Sequence, residues 1–257
     1  MVFQKILYIT LVGLTLPPFF FTHTTNRLYG LGLLIPIAGI LFYFFKKQRP
    51  LFLSSLFWLF FFLSLVSPLP SILAWPFFLL IPAGIQIGIQ IYFGRKEKIS
   101  WLQAGRSDRK TIILVIASVM ISCVALVLWT ILLNPDLSRF AARITDHPVP
   151  LIIFGIFGFA IINSGMEEII FRGILWDGLT RIFESKKLVI IIQALLFGII
   201  HYQGFPKGVT GMGMAFIFGI MTGMIRHFSK GMMYPVLSHF FADFTIGMIL
   251  LRISGKI

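Results

Sequence analysis

VPLIIFGIFGFAIINSGMEEIIFRGILW, residues 149–176, is a 28-residue apolar run interrupted by three charges, Glu167, Glu168 and Arg172. At about 1.5 Å per residue it is longer than the ~30 Å hydrocarbon core of a bilayer, so it reads as a transmembrane helix that tilts or protrudes. A charge at bilayer depth is costly unless it is paired or faces water, which marks these residues first as a functional site. Two later apolar stretches repeat the pattern: one ends at His201, and the other carries His239 and Asp243.

The rest of the chain agrees with a membrane environment. Of 257 residues, 58% are hydrophobic and only 12% charged, and the mean hydropathy is +0.94. A soluble globular domain does not have this composition. The net charge of +13 does not indicate nucleic acid, because the basic residues cluster between apolar runs, where membrane topology puts them. The single cysteine, Cys123, excludes an internal disulfide and any multi-cysteine metal site. The 29 Phe residues are expected mostly as lipid-facing filler.

The fold expected is an all-α, polytopic transmembrane bundle of about eight or nine spans, with its site between helices of the C-terminal half. Candidate spans fall near 3–22, 29–45, 51–67, 71–93, 111–133, 149–176, 187–202, 209–226 and 231–251. The first has the Lys5-then-apolar look of a signal peptide but no small-x-small cleavage site, and is expected as an uncleaved span. With the amino terminus in the cytoplasm, 15 Lys and Arg fall inside and 6 outside, leaving Arg172 within a span. That bias sets the orientation as a multi-pass cell-membrane protein, in the inner membrane if the host is bacterial.

The basic break GRKEKISWLQAGRSDRK at 94–110 divides a four-span unit, 1–93, from a C-terminal unit, 111–257. Ile99, Trp101 and Leu102 within the break are expected as a short interfacial helix. Gly211, Ala215, Gly219 and Gly223 recur every four residues, a small-residue stripe for close helix packing.

On an α-helical wheel Glu168 and Arg172, four apart, share a face, whereas Glu167 points about 100° away toward Asn163. The expected roles follow: Glu168–Arg172 is a structural ion pair, and Glu167 is the working group, oriented by Asn163. Measured from the cytoplasmic helix ends, the helical rise puts Glu167 roughly 16 Å deep, His201 roughly 21 Å, His239 roughly 12 Å and Asp243 roughly 18 Å. Three helices can therefore point these groups into one cavity. Such a cavity suits water activation and attack on a carbonyl, with a base, an imidazole and a charge stabiliser. His239 and Asp243, again four apart, are expected to orient each other.

GMEEIIFRGIL (165–175), ALLFGIIH (194–201) and GMMYPVLSHFFADF (231–244) resemble the three motifs of the CPBP family of intramembrane proteases. That family includes CAAX prenyl endopeptidases and bacteriocin-processing and immunity proteins. The first motif falls on Glu167, Glu168 and Arg172, the second on Phe197 and His201, and the third on His239 and Asp243. The resemblance spans roughly 111–257 and implies that Glu167 and His201 activate the water while His239 and Asp243 stabilise the oxyanion. Asp243 stands where the prenyl endopeptidases carry Asn. An ionised Asp repels an oxyanion, so Asp243 must be protonated, orient His239 or bind a metal.

The family has been described as both glutamic and metal-dependent. No metal is the favoured reading, because Arg172 beside the carboxylates disfavours a dication. The alternative is Zn at Glu167, His201, His239 and Asp243. The partners implied are membrane lipid and a membrane-associated or lipidated peptide, with no nucleic acid. For a bacterial host, peptide maturation, regulated cleavage or bacteriocin immunity suits such a chain better than prenylated CAAX proteins. Two other classes use the same residue types: a proton-coupled transporter, in which buried acids and imidazoles form a relay, and a non-catalytic membrane scaffold or immunity protein.

Overall fold

With no water in a bilayer core, a spanning backbone must satisfy its own hydrogen bonds, and only helices or closed barrels do so. The computed structural model describes residues 2–19, 23–47, 49–66, 80–93, 100–141 and 147–257, and every regular element among them is helical. The N-terminal half contributes α1 (Val2–Gly13), α2 (His23–Lys47), α3 (Arg49–Val66) and α4 (Leu80–Phe93). Then come α5 (Arg109–Leu133), a single turn α6 (Ser138–Ala141), and α7 (Val149–Glu168), which continues through a π-helical stretch, Ile169–Leu175, into α8 (Trp176–Ile182). The chain closes with α9 (Lys186–Ile200), α10 (Gly208–Ser229) and α11 (Met233–Ile253).

Local chemistry sets the boundaries. Asp108 accepts the Thr111 N–H at 2.7 Å and caps α5, which stops where Asn134 adopts a left-handed conformation. Ser185 caps α9 in the same way through Leu188 N–H. Both are short polar side chains satisfying otherwise orphaned amides.

Four helices among the described residues are long and apolar enough to cross a membrane: Arg109–Leu133, Val149–Ile182, Gly208–Ser229 and Met233–Ile253. This is fewer than the eight or nine spans expected. The run near 3–22 holds only the 12-residue α1 followed by a short turn at Pro17–Phe19. At about 1.5 Å per residue the 15 residues of α9 also fall short of a full crossing. Hydropathy alone counts such segments as spans, but a short apolar helix packed on longer ones is equally well buried. Part of the span expected at 71–93, residues 71–79, lies outside the described residues.

α10 packs on α9 and α5, and α11 packs on α7 and α5, enclosing the polar residues; α1 and α3 lie against α8. The small-residue stripe on α10 makes these approaches possible. A Cβ on Gly219 would stand 2.9 Å from the Ala194 Cα of α9, and one on Gly223 would stand 2.5 Å from the Gln193 amide nitrogen.

One hydrophobic core cluster runs from Tyr8 to Ala242, so the N-terminal helices share a core with the C-terminal ones. Phe44, Phe57, Phe61 and Phe62 are buried there, contrary to the expectation of lipid-facing filler for these positions. The rings bury more area against neighbouring helices than a smaller side chain can.

The break at 94–110 differs from expectation as well. Residues 94–99 lie outside the described residues. The following stretch is a 3-10 turn, Ser100–Leu102, with Trp101 buried in protein and only Leu102 largely exposed. It is stitched to the turn between α10 and α11: Met232 N–H donates to Gln103 O, Met233 N–H to Ala104 O, and Arg106 N–H to Ser229 O. Gly105, at φ +104°, allows the chain to pass within touching distance of Gly231. These backbone bonds, unavailable to a helix lying in the headgroups, hold the segment against the protein.

Candidate active site

The α-helical arm ends at Glu168, so the expected wheel holds up to that residue. Asn163 Nδ2 donates to Glu167 Oε1 at 3.1 Å and to Asp243 Oδ2 of α11, also at 3.1 Å. One amide thus joins two acids 76 residues apart in the sequence, using both of its N–H bonds.

Glu168 is fully buried and accepts twice on Oε1, from Arg172 Nη1 at 2.8 Å and from His239 Nδ1 at 2.8 Å. The Glu168–Arg172 pair follows the expected spacing, although Arg172 already lies in the π-helical stretch. Arg172 is itself fully buried and donates through Nη2 to Thr222 Oγ1. Gln193 of α9 donates to Gly219 O at 2.7 Å, joining α9 to the same part of α10.

His239 and Asp243, expected to orient each other, stand within ion-pair distance, while the hydrogen bond of His239 goes to a third residue. The His239 hydrogen bond goes to Glu168, while Nε2 stands 3.6 Å from Asp243 Oδ1 and 3.8 Å from Glu167 Oε2. A helix wheel gives neighbours within one helix but cannot weigh them against a better-aimed acceptor on another.

His201 caps α9, and its Nδ1–H donates to Phe197 O at 2.8 Å, leaving Nε2 as the acceptor nitrogen. It makes no direct hydrogen bond to Glu167. The Phe197 ring lies against both imidazoles, its centroid 4.5 Å from that of His201 and 5.8 Å from that of His239, with the Arg172 guanidinium 4.3 Å from it. Phe197 therefore organises three cationic or ionisable groups through one aromatic face and edge.

His201, His239 and Asp243 line a cavity of about 170 Å³. Apart from Ser122 the remaining wall is apolar, with Leu126 from α5, Met214, Phe218 and Met221 from α10, and Ile246 from α11. Glu167 lies just behind it, buried, with Oε2 lacking a hydrogen-bond partner. An unpartnered carboxylate oxygen in such surroundings is expensive to keep, and a functional reason is the usual one.

Residues 148–245 match the family model described as type II CAAX prenyl endopeptidase Rce1-like. This segment is similar to that family. It runs from the start of α7 into α11, contains all three motifs, and is consistent with the CPBP proteases that the motifs resemble. This similarity and the apolar helices together support a multi-pass membrane protein and a membrane endopeptidase. Comparison with curated proteins and with solved structures finds no match.

The zinc alternative requires donors converging on one point. Among the described residues no three His, Cys, Asp or Glu side chains are grouped to hold a metal ion. His239 Nδ1 is taken by Glu168, which leaves Nε2 as its free nitrogen.

Several residues around the site escaped the sequence reading. Gln193 and Thr222 carried a usable signal, since polar side chains inside apolar helices hydrogen-bond across interfaces. Arg226 was counted among the cytoplasmic loop charges, yet it is buried in α10 with Nε donating to Arg172 O at 2.9 Å. Its removal from the tally leaves the inside bias intact. Ser54, Tyr8 and Trp101 gave no signal, because nothing in their local sequence connects them to residues more than 70 positions away.

Proposed function

We propose that this chain is an intramembrane endopeptidase whose base is Glu167. Its carboxylate takes a proton from water as the hydroxide oxygen bonds to the scissile carbonyl carbon, and His201 Nε2 holds the same water from the other side. As the imidazolium, His239 donates Nε2–H to the developing oxyanion while Nδ1–H stays on Glu168. Asp243 contributes in its protonated form, with Oδ2 on Asn163 and the O–H on Oδ1. Collapse of the tetrahedral intermediate breaks the C–N bond, and the proton held on Glu167 passes to the leaving amine.

The observation that carries this reading is Glu167 Oε2: buried, without a hydrogen-bond partner, and 3.8 Å from the Nε2 of His239, which lines the cavity. Cavity size bears on the substrate. An apolar cavity of roughly 150 Å³ accommodates a benzene-sized group, so about 170 Å³ takes one apolar side chain next to the scissile bond. The substrate class is a membrane-associated or lipidated peptide, reached in the cell membrane with the amino terminus of the enzyme on the cytoplasmic side. The reaction as written needs no metal.

The test uses the full chain in liposomes with two internally quenched peptides, one carrying a farnesylated CAAX tail and one an unlipidated apolar tail. Glu167→Gln and His201→Ala should each lower kcat by about 10²-fold or more, with normal expression and unfolding temperature. Full cleavage by both variants overturns the reading. Dialysis against a chelator should leave wild-type cleavage unchanged; restoration by Zn²⁺ after a chelator-induced loss overturns the metal-free chemistry.

A further inference from the structure

The geometry points to Tyr8 and Ser54, in α1 and α3, as positioning residues that fix the π-helical stretch and so aim Glu167 and Glu168. This rests on the endopeptidase reading above and extends it beyond the Rce1-like segment, which begins at residue 148.

Ile169–Leu175 is the join between the arm that carries Asn163, Glu167 and Glu168 and the arm formed by α8. π-Helical turns are rare and less favourable than α turns, and they occur often at functional sites. Rewinding this stretch as α-helix would turn one arm relative to the other by one residue, about 100°. Either the acids or α8 would then lose their present contacts, so neighbours that favour the π form also set the aim of the acids.

Ser54 Oγ donates to Ile174 O, inside the π stretch, at 3.2 Å. Behind it, Tyr8 Oη is 2.6 Å from Ser54 Oγ. Ser54 has one proton and gives it to Ile174 O, so in this pair the Tyr8 hydroxyl is the donor. All three partners are buried. Gly178, on the next turn, makes room: a Cβ there would stand 2.0 Å from Tyr8 Oη. Two further contacts close the collar, Arg226 Nε on Arg172 O at 2.9 Å and Trp101 packed where a Gly173 Cβ would stand 2.9 Å from its ring. The hydroxyl relay differs from these in coming from the N-terminal helices, which gives those helices a part in the frame of the site.

The experiment compares Ser54→Ala, Tyr8→Phe and the hydroxyl-retaining Ser54→Thr in the full chain. Two readouts are taken in nanodiscs: cleavage of the farnesylated reporter, and amide hydrogen exchange of peptides covering 169–178. Loss of one hydrogen bond corresponds to a population change of about threefold to tenfold. Ser54→Ala and Tyr8→Phe should lower kcat by that factor with KM and unfolding temperature unchanged, and should speed exchange over 169–178 but not over 208–229. Ser54→Thr should restore both readouts.

Unchanged kcat in both variants overturns the proposal even if exchange quickens, since the relay is then structural only. Unchanged exchange overturns it as well. If the wild-type chain cleaves neither reporter while Ser54→Ala still quickens exchange, the endopeptidase reading has failed and the link between relay and π stretch stands.

Discussion

Asn163 is the residue on which the polar cluster turns. Its amide holds Glu167 and Asp243 at 3.1 Å each, so removing it frees two acids at once and leaves them without a shared donor. Asn163→Ala should reduce kcat by about 10²-fold, the scale expected when a catalytic group is misplaced by about 1 Å. Asn163→Asp should be worse, because a third acid replaces the donor between two others. Both are read from reporter cleavage at saturating substrate. Asp243→Asn tests the protonated role of the acid: an amide also presents a donor, so this variant should keep most of the wild-type kcat while Asp243→Ala loses it. Equal loss in the two variants would show that the proton on Asp243 is not what the reaction uses.

At the scale of elements, the α9–α10 contact places the Phe197 wall against the Arg172 partners. Gly219 sits where its missing side chain would meet the Ala194 backbone, whereas Gly213, on the same helix, has open space around it. Gly219→Ala should therefore separate the helices and destabilise by about 1–3 kcal/mol, the usual cost of overpacking. Gly213→Ala should be neutral or slightly stabilising, because Ala is the better helix former. Thermal unfolding in detergent distinguishes the two, and equal shifts would mean that the stripe does not set the spacing. The π-helical join is an element-scale feature of the same kind: its sequence, IIFRGIL, is an ordinary apolar helical run, and its winding depends on the carbonyl partners that surround it.

For the whole molecule, the charge bias makes a topological prediction that is independent of the site. In a Cys123→Ser background, Asp136→Cys, beyond the outer end of α5, should react with a membrane-impermeant maleimide in intact cells. Arg109→Cys, at the cytoplasmic start of the same helix, should react only after permeabilisation. The reverse pattern would invert the bundle and put the motif residues nearer the other leaflet. Across the break at 94–110, residues 103–106 bond to the α10–α11 turn and one core cluster includes residues from both sides.

What the sequence determined by itself was the membrane class, the helical fold and the identity of the motif residues. Each depends on local quantities: apolar length, the 3.6-residue period, and the cost of placing Glu167, His201 or Asp243 in an apolar run. The Asn163–Glu167 and Glu168–Arg172 pairs were legible for the same reason, both being four residues apart on one helix. Only the tertiary structure decided that the His239 hydrogen bond goes to Glu168, that Phe197 lies against both imidazoles, and that four helices among the described residues have the length and apolarity to cross. Those outcomes depend on which of several acceptable partners is better aimed and on how helices shelter one another. Distances between helices are set by side chains far apart in the chain, and local periodicity carries no record of them.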